Sequence, residues 1–541
     1  MRSRILPLAF ALLAPACRRD ITGADSGPGG LGIDDVPRTS SDALAQPLTG
    51  VYTDEGAAPE SDEFRALMGF PLRNEDALAE QIRSSADPSD PNFRRYPTPS
   101  AWTDAYAPTE TDVAYVSDWL TGAGFTVARV APNRLLLEFT GSVGDFNAAF
   151  ATNLPVCNRD NPQQGGDPIP VYCTLGTMGL PTDIASRVTG VVTADLPPDQ
   201  GPLPGEAGSV VDDPPAGREA YTPADLATAY GVAPLSAEGY HGEGARLGLV
   251  IGGMFKFNDV GTFWMSNGIT RADPVVIQTM EPVPSRNAEA TLDVSWSGAM
   301  APGADLIAYA GPDSRNTSLL YTFNEAIAEG GVDVLSDSFA HREDSEPDLL
   351  RIAYDESAAE GAALGITISS ASGDTAGVDV PCDSPYVTCV GGTTLTMSDG
   401  RVTGEFAWAD SGTGDSATFG VPEWQLGVMP SGATRAVNDV ASSGGNEFYV
   451  YYLGNWEVYM GTSFASPVFA GCDAVVAGWR LAHGLPGTGY LNPLLYGDAT
   501  VQASFRDVTA TGSEQFPAGP GWDHPTGWGT MNAEALTASL P

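Results

Sequence analysis

Short apolar segments alternate with helix-length segments through the second half of this 541-residue chain. Those with the length and composition of buried strands lie at residues 247–251, 275–277, 306–309, 332–335, 366–370 and 387–390. A strand covered on both faces reads as a continuous apolar run, and parallel strands need a long connection that is usually a helix. The pattern therefore predicts a doubly wound α/β domain with a mostly parallel sheet.

A second, smaller unit precedes that domain. Helices are predicted at residues 112–123 and 143–151, with strands at 125–130 and 134–139 between them. Helices interleaved with strands over this length predict a small α/β sandwich. Because the whole chain is too long for one ordinary core, two domains, or one large domain with attachments, are expected.

Changes of composition divide the chain further. We predict a signal peptide at residues 1–17, a flexible spacer at 18–50, the small unit at 51–196, a Pro- and Gly-rich linker at 197–217 and the α/β domain at 218–541. Prolines, glycines and acidic residues leave the linker exposed and easily cut.

The first residues have the layout of an export signal. Arg2 and Arg4 precede an apolar run that ends in small residues before Cys17. This run is too short to cross a bilayer and no later run is long enough, so no transmembrane segment is expected. We expect a secreted protein, with a lipid anchor at Cys17 as the alternative.

The charge of the chain restricts its partners. Acidic residues outnumber basic ones by 68 to 26, which gives a net charge of −42. Such a chain repels nucleic-acid phosphates and anionic membranes, which excludes both as partners. The charge fits solubility outside the cell and also work at acid pH, where protonation of carboxylates relieves self-repulsion.

The cysteines fit an exported protein. The close pairs Cys157/Cys173 and Cys382/Cys389 are candidate disulfides. Cys472 lies in an apolar run and is predicted to be a buried thiol. None of the spacings is typical of a zinc site.

The strongest chemical motif is Gly-Thr-Ser-Phe-Ala-Ser-Pro at residues 461–467. The glycine frees the backbone, and the small residues let a helix begin in close contact with its neighbours. A serine at such a helix start is exposed to local N–H groups that favour negative charge, so Ser463 is a candidate nucleophile. The alternative is a simple helix cap.

This motif resembles the serine motif of subtilisin-like enzymes and of the related sedolisins, the serine-carboxyl peptidases. A subtilisin needs a histidine base, usually in a His-Gly-Thr-His setting, and none of the four histidines here has that context. The sedolisin pattern is Glu-x-x-x-Asp, which Glu289 and Asp293 supply. Residues four apart share one helix face, although acidic pairs at this spacing are also common on solvated helices.

The resemblance implies a role for each of these carboxyls. Glu289 would take the proton of Ser463, and Asp293 would orient and hold Glu289. Two carboxyls at close range cannot both ionise easily, so the pKa of one should rise. Asp374, in Ser-Gly-Asp after a strand candidate, would stabilise the oxyanion as a protonated acid; an ordinary turn is the alternative.

Two further features follow from the resemblance. Sedolisins bind one calcium ion near the C-terminus, and the ligands here would be the side chains of Asp507 and Asp523 with the carbonyl oxygens of Val508, Gly519 and Gly521. An acidic, glycine-rich loop without an ion is the alternative. Phe464 departs from the family, in which a smaller residue is common, and is expected to narrow the space beside the nucleophile.

Residues 113–120 and 141–150 resemble the family's prodomain, which has a ferredoxin-like fold. The resemblance therefore implies a secreted serine-type endopeptidase, made as a proenzyme and active on protein or peptide substrates at acid pH. Its own prodomain would cover the cleft as an intramolecular inhibitor, and a monomer is expected. The alternatives are a non-catalytic binding protein of the same fold and a metallopeptidase, which the lack of a His-Glu-x-x-His motif disfavours.

Overall fold

The computed structural model describes residues 38–41, 52–159, 169–172, 178–192, 203–204, 220–280, 287–339, 341–510 and 516–541. The predicted signal peptide, most of the spacer and most of the linker lie outside these residues, as do Cys17 and Cys173. The predicted domain boundaries therefore stay predictions.

The N-terminal unit is an α/β sandwich. Its strands are β1 (Arg38–Ser41), β2 (Tyr52–Ala57), β3 (Glu63–Gly69), β4 (Thr126–Val130), β5 (Leu136–Ser142), β6 (Pro155–Arg159), β7 (Ile169–Tyr172), β8 (Met178–Pro181) and β9 (Gly190–Val192). Its helices are α1 (Glu75–Ala86), α2 (Pro99–Tyr106), α3 (Glu110–Gly122), α4 (Val143–Ala149) and α5 (Thr182–Ala185).

The main sheet of this unit has the order β4-β5-β3-β9 and is antiparallel. Numbered along the chain, these strands give the ferredoxin-like order, with the first strand between the third and the fourth. Phe139, Phe146 and Phe150 are fully buried and stack on one another beside the sheet. Apolar residues at alternate positions of β5 and on one side of α4 thus form the core, and the ferredoxin-like prediction is confirmed.

The C-terminal domain is larger. Its strands, preceded by β10 (Leu203–Pro204) of the linker, are β11 (Arg246–Ile251), β12 (Val275–Gln278), β13 (Asp305–Ala310), β14 (Val334–Asp337), β15 (His341–Arg342), β16 (Thr367–Ala371), β17 (Asp379–Val380), β18 (Thr388–Ser398), β19 (Arg401–Ala407), β20 (Gly414–Gly420), β21 (Thr434–Val437), β22 (Val440–Ser443), β23 (Phe448–Tyr452), β24 (Asn455–Met460), β25 (Phe505–Arg506) and β26 (Thr530–Met531). Its helices are α6 (Pro223–Ala229), α7 (Val232–Ala237), α8 (Phe257–Ser266), α9 (Ala288–Met300), α10 (Asn316–Ala328), α11 (Asp348–Leu364), α12 (Thr462–Ala482), α13 (Asn492–Gly497), α14 (Ala499–Gln502) and α15 (Ala533–Ser539).

The central sheet has the order β12-β13-β11-β14-β16-β18-β22-β26-β25, with β19 beside β18. From β12 to β26 every neighbouring pair is parallel, whereas β19 and β25 pair antiparallel. Two pairs of helices pack on the sheet, α9 with α12 and α10 with α11. The predicted doubly wound α/β domain is confirmed, because apolar strands of this kind are buried only when helices cover both faces.

The N-terminal unit contacts α10, α11 and nearby loops of the C-terminal domain. Asn133 donates hydrogen bonds to Asn324 of α10 at 2.7 Å and to Glu360 of α11 at 2.6 Å. Arg129 donates to the carbonyl oxygen of Thr279 at 2.9 Å. These contacts lie on the α10–α11 side, and the covering of the cleft by this unit stays a prediction. Strand β10, in the predicted linker, pairs antiparallel with β24, the strand that leads directly into Gly461.

The cysteine predictions are met where the structure describes them. Cys382 and Cys389 form a disulfide, Cys157 is disulfide-bonded, and Cys472 is a buried free thiol. Over the described residues, no helix has both the length and the apolar character needed to cross a membrane.

Candidate active site

The predicted catalytic residues gather at one edge of the central sheet. Strand β14 lies between β11 and β16, and all three are parallel, so their carboxyl ends point to the same edge. Helix α9 begins beside the end of β11, and Ser338 and Asp374 follow β14 and β16. This edge is where doubly wound folds place their functional residues.

Glu289 and Asp293 lie on the first two turns of α9. Asn287 caps the helix, because its side chain accepts a hydrogen bond from the backbone N–H of Glu289 at 2.8 Å. The same Asn287 is held by the backbone oxygens of Gly252 and Met254, just beyond β11. The cap therefore anchors the start of α9 at the carboxyl edge and fixes the direction of both carboxyls.

Both carboxyls of the pair are buried, at 1% and 2% exposure. Burial raises the pKa of Glu289 well above its usual range, and the neighbouring Asp293 raises it further. Burial also raises the pKa of Asp293 well above its usual range, although a hydrogen bond from Ser338 at 2.7 Å opposes that rise. The pKa values of both carboxyls are therefore raised, and a proton shared between them stays a prediction.

Ser463 is the second residue of α12 and is 8% exposed. Its hydroxyl is close enough to Glu289 to lower the pKa of that carboxyl. The two groups do not form a hydrogen bond of normal geometry, since both oxygens of Glu289 are buried without a partner among the described residues. Catalytic hydrogen bonds are often long before substrate binds, so this geometry fits a nucleophile beside its base.

Asp374 follows β16 through the turn at Ser372 and Gly373 and reaches the start of α12. Its Oδ1 accepts hydrogen bonds from the backbone N–H of Thr462 at 2.7 Å and from the Thr462 hydroxyl at 2.9 Å. Burial raises the pKa of Asp374 to about 6, although the bonds from Thr462 lower it. Gly461 has a positive φ of 153°, and a Cβ there would lie 2.6 Å from Oδ2 of Asp374. Asp374 therefore packs against the residue two positions before Ser463.

The expectation for Phe464 is wrong. Its ring is fully buried, 4.4 Å from the ring of Phe448 in a parallel stack and 6.1 Å from that of Trp296. Phe464 therefore belongs to the aromatic core formed with Phe448 and Trp296. A large residue is accommodated there because Phe448 and Trp296 provide an aromatic environment.

Sequence reasoning missed Ser338 and Thr462, which hold Asp293 and Asp374. Ser338 also lies 3.4 Å from the backbone oxygen of Ser463, so it joins the base helix to the nucleophile helix. Ser338 could have been predicted from the sequence, because it follows an apolar strand candidate of a parallel sheet. Polar residues in that position lie at the carboxyl edge of the sheet, where such folds place their functional residues. The role of Thr462 depends on a contact 88 positions away in the chain.

The predicted calcium ligands are brought together away from this edge. Asp507 accepts a hydrogen bond from the N–H of Gly521 at 2.9 Å, and Asp523 accepts one from the N–H of Gly519 at 2.7 Å. The carbonyl oxygen of Val508 lies 3.4 Å from the hydroxyl of Thr526, which also donates to Asp523. Carboxylate and carbonyl oxygens are the donor set that calcium prefers. Within the described residues no cluster of three or more His, Cys, Asp or Glu could hold a metal ion, so an ion here would need these carbonyl oxygens and water.

Comparisons with known proteins agree with this arrangement. A family model described as "Pro-kumamolisin, activation domain" matches residues 51–195, and one described as "Subtilase family" matches residues 285–529. The chain is 30% identical to kumamolisin of Bacillus sp. (strain MN-32) over 477 residues, which are 80% of this chain and 83% of kumamolisin. It is 27% identical to sedolisin of Pseudomonas sp. (strain 101) over 88% of this chain and 86% of that protein.

Two further similarities are more local. Tripeptidyl-peptidase 1 of Canis lupus familiaris is 35% identical over 218 residues, which are 34% of this chain and 38% of that protein. A solved structure of Pseudomonas sedolisin, a serine-carboxyl proteinase complexed with two molecules of pseudo-iodotyrostatin, superposes with a TM-score of 0.53 at 26% identity. That superposition covers 60% of this chain and 98% of the sedolisin chain.

Proposed function

This chain belongs to the sedolisin family of serine-carboxyl peptidases, and we propose that it is a secreted endopeptidase that cuts peptide bonds at acid pH through an acyl-enzyme on Ser463. It is a serine-type peptidase with an activation domain, as its relatives are. One observation supports the proposed mechanism: Ser463, the buried Glu289–Asp293 pair and Asp374 lie together at one edge of the sheet.

The reaction would begin when Oγ of Ser463 attacks the substrate carbonyl carbon. Glu289 takes the hydroxyl proton, and Asp293 supports Glu289 by sharing a proton with it. Asp374, protonated on Oδ2, donates a hydrogen bond to the carbonyl oxygen as that oxygen becomes negative. Glu289 then returns its proton to the leaving amine, and water attacks the acyl-enzyme with Glu289 as base again.

The charge states of Asp374 and of the Glu289–Asp293 pair limit the pH range in which the enzyme should be active. Asp374 can donate only while it is protonated, and its pKa of about 6 places that state on the acid side. Glu289 can accept a proton only while the pair carries a negative charge. Activity should therefore rise as the pair first ionises and fall as pH passes the pKa of Asp374.

The contact between β10 and β24 supports an endopeptidase. Leu203 pairs with Met460 and Pro204 with Tyr459, which places an internal segment of the chain along the strand that leads to Ser463. A strand edge that accepts the middle of a chain can also accept the middle of a substrate. The same contact supports inhibition by the prodomain, since the linker occupies that edge until it is cut.

Export and calcium binding are parts of the same proposal. The Cys382–Cys389 disulfide supports export, because disulfides persist in oxidising compartments. Asp507 and Asp523, with carbonyl oxygens of Val508, Gly519 and Gly521, would hold one calcium ion. The ion would tie residues 507–508 to the 519–523 loop and stabilise the domain without taking part in the reaction.

The test is hydrolysis of a denatured protein between pH 2 and 8 by the processed enzyme, with Ser463→Ala as the matched variant. An acid optimum that Ser463→Ala abolishes, with internal fragments among the products, supports the proposal. Activity that survives in Ser463→Ala overturns the mechanism. Release of tripeptides alone would keep the mechanism and overturn the endopeptidase assignment.

A further inference from the structure

The loop between α1 and α2 of the prodomain reaches the edge of the central sheet that is opposite the catalytic residues. Arg94 and Tyr96 of this loop contact residues 487–489, in the loop between α12 and α13. The hydroxyl of Thr367, the first residue of β16, donates a hydrogen bond at 2.7 Å to the last carbonyl oxygen of residues 487–489. Since Thr367 begins β16 and Asp374 follows its carboxyl end, this contact lies at the amino edge of the sheet.

The guanidinium of Arg94 is held by backbone oxygens of the peptidase domain. Its Nη1 donates to the carbonyl oxygen of Gly487 and, at 3.0 Å, to that of Thr488. Its Nε and Nη2 are buried and have no hydrogen-bond partner of normal geometry in the described part of the chain. A cation in such a place needs an opposite charge nearby, because burial removes its hydration.

Asp473 of α12 supplies that charge. It is fully buried, and its Oδ1 accepts a hydrogen bond from the hydroxyl of Thr488 at 2.7 Å, so Thr488 connects it to Arg94. Burial lowers the pKa of Arg94, and the charge of Asp473 is among those that oppose the decrease. Burial raises the pKa of Asp473 to about 6, so Asp473 is ionised at pH 7. Arg480, the other guanidinium near Asp473, donates instead to backbone carbonyl oxygens at 2.8 and 2.9 Å.

The ring of Tyr96 lies against two glycines of the peptidase domain. Gly365, which ends α11, has a φ of 80°, and Gly489 has a φ of 72°. A Cβ on Gly365 would lie 2.5 Å from the ring of Tyr96, and a Cβ on Gly489 would lie 2.5 Å from its hydroxyl oxygen. Pro99, which begins α2, lies equally close to Gly330 after α10. Glycine allows these backbone conformations and leaves room for the prodomain side chains.

The linker and this contact hold opposite edges of the peptidase domain. Strand β10 pairs with β24, which leads into Gly461 near the catalytic Ser463. Arg94 and Tyr96 lie on the folded prodomain, well before the linker in the chain. A cut in the linker therefore removes the covalent connection but none of the contacts at residues 487–489. The high effective concentration that the linker supplies is then lost, and only noncovalent contacts can keep the two domains together.

We propose that residues 487–489, Gly330 and Gly365 form a socket for the Arg94-Arg95-Tyr96 segment, and that this socket keeps the prodomain bound after the linker is cut. Activation then takes two steps, cleavage of the linker and withdrawal of this segment from the socket. The partner that the socket fits is an extended segment with an arginine and a tyrosine two residues apart. The inference requires an activation domain, which the comparisons show, but no particular catalytic mechanism.

The test uses the inactive Ser463→Ala proenzyme with a recognition sequence for a site-specific protease placed in the linker. After that protease has cut the linker, the dissociation constant of the two domains is measured at pH 7 by size-exclusion chromatography over a dilution series. Arg94→Ala should raise it roughly 10- to 100-fold, the equivalent of hydrogen bonds from a charged group. The matched control is Arg95→Ala, since Arg95 is exposed beside Arg94 and carries the same charge outside the socket. It should leave the dissociation constant nearly unchanged.

Equal dissociation constants in Arg94→Ala and Arg95→Ala, or immediate separation of the unsubstituted domains on cutting, overturn the proposal. If Arg94→Ala does not fold, hydrogen exchange of the Ser463→Ala proenzyme with both arginines in place decides instead. Segments 93–99 and 484–491 should keep their protection when the linker is cut, and a loss of protection in both overturns the proposal. Because the protein is inactive throughout, a failure here defeats only this inference, whereas the proposed function depends on Ser463-dependent hydrolysis.

Discussion

Replacing Asp374 with asparagine should separate its hydrogen-bonding role from its titration. Oδ1 of Asp374 already accepts two hydrogen bonds from Thr462, so the proton of the neutral acid belongs on Oδ2. Asparagine has the same shape and can keep its oxygen toward Thr462 with its NH₂ group in the place of Oδ2. The variant therefore retains a donor at that position at every pH.

The expected magnitude follows from the pKa of Asp374, which burial raises to about 6. About half of the wild-type molecules hold the proton at that pH, and only about one in a hundred hold it two units higher. Loss of this donor in wild type should reduce kcat/KM about tenfold per pH unit on the alkaline side. The Asn variant should lack that decrease, so the ratio of variant to wild type should rise about fiftyfold between pH 6 and pH 8.

The assay is kcat/KM on one internally quenched peptide from pH 3 to pH 8, with enzyme that is processed in acid and then transferred. Asp374→Ala is the control, because it lacks both donor and charge and should lose roughly 10²- to 10³-fold in acid. If the alkaline limb of Asp374→Asn coincides with that of wild type, another group sets the limb and the role of Asp374 as a protonated donor is refuted.

Three further outcomes are expected. Gly461→Ala should abolish peptide hydrolysis but leave the fold intact by circular dichroism, because its Cβ would lie 2.6 Å from Oδ2 of Asp374; full activity would contradict this. Burial raises the pKa of Glu356 and Glu360 to about 8, above that of the unfolded chain, so their contribution to stability is present in acid and is lost as pH rises toward 8. The melting temperature of the Ser463→Ala proenzyme should therefore fall between pH 5 and pH 8, and a rise would refute the burial argument. A calcium chelator should lower the melting temperature of wild type at pH 5 but not that of Asp523→Asn, whereas an equal loss in both would show that the chelator acts elsewhere.

The sequence predicted the parts of the fold that periodicity encodes. Apolar runs at residues 247–251 and 366–370 became β11 and β16, because strands buried on both faces must be apolar throughout. The candidate catalytic residues were found because the heptapeptide around Ser463 and the Glu-x-x-x-Asp spacing of Glu289 and Asp293 resemble the sedolisin pattern. Their roles stay predictions, and the structure adds that all of them lie at one edge.

Contacts between residues that are far apart in the chain could not be predicted from the sequence. The bond between Thr462 and Asp374 joins positions 88 apart, and the burial of Phe464 depends on Phe448 and Trp296, which lie on other elements. Nothing in local composition determines such packing, since it depends on how helices cross the sheet. The docking of the prodomain on α10 and α11 was missed for the same reason.

The most direct test of the account is to label the nucleophile and ask what activates it. Processed enzyme at pH 4 is treated with a peptidyl fluorophosphonate, and the modified residue is located by mass spectrometry, with Ser466 as an internal control on the same helix. We predict that Ser463 alone is labelled and that Glu289→Gln lowers the labelling rate at least a hundredfold without unfolding the protein. Labelling at another residue, or an unchanged rate in Glu289→Gln, would contradict the claim that a carboxyl pair activates Ser463.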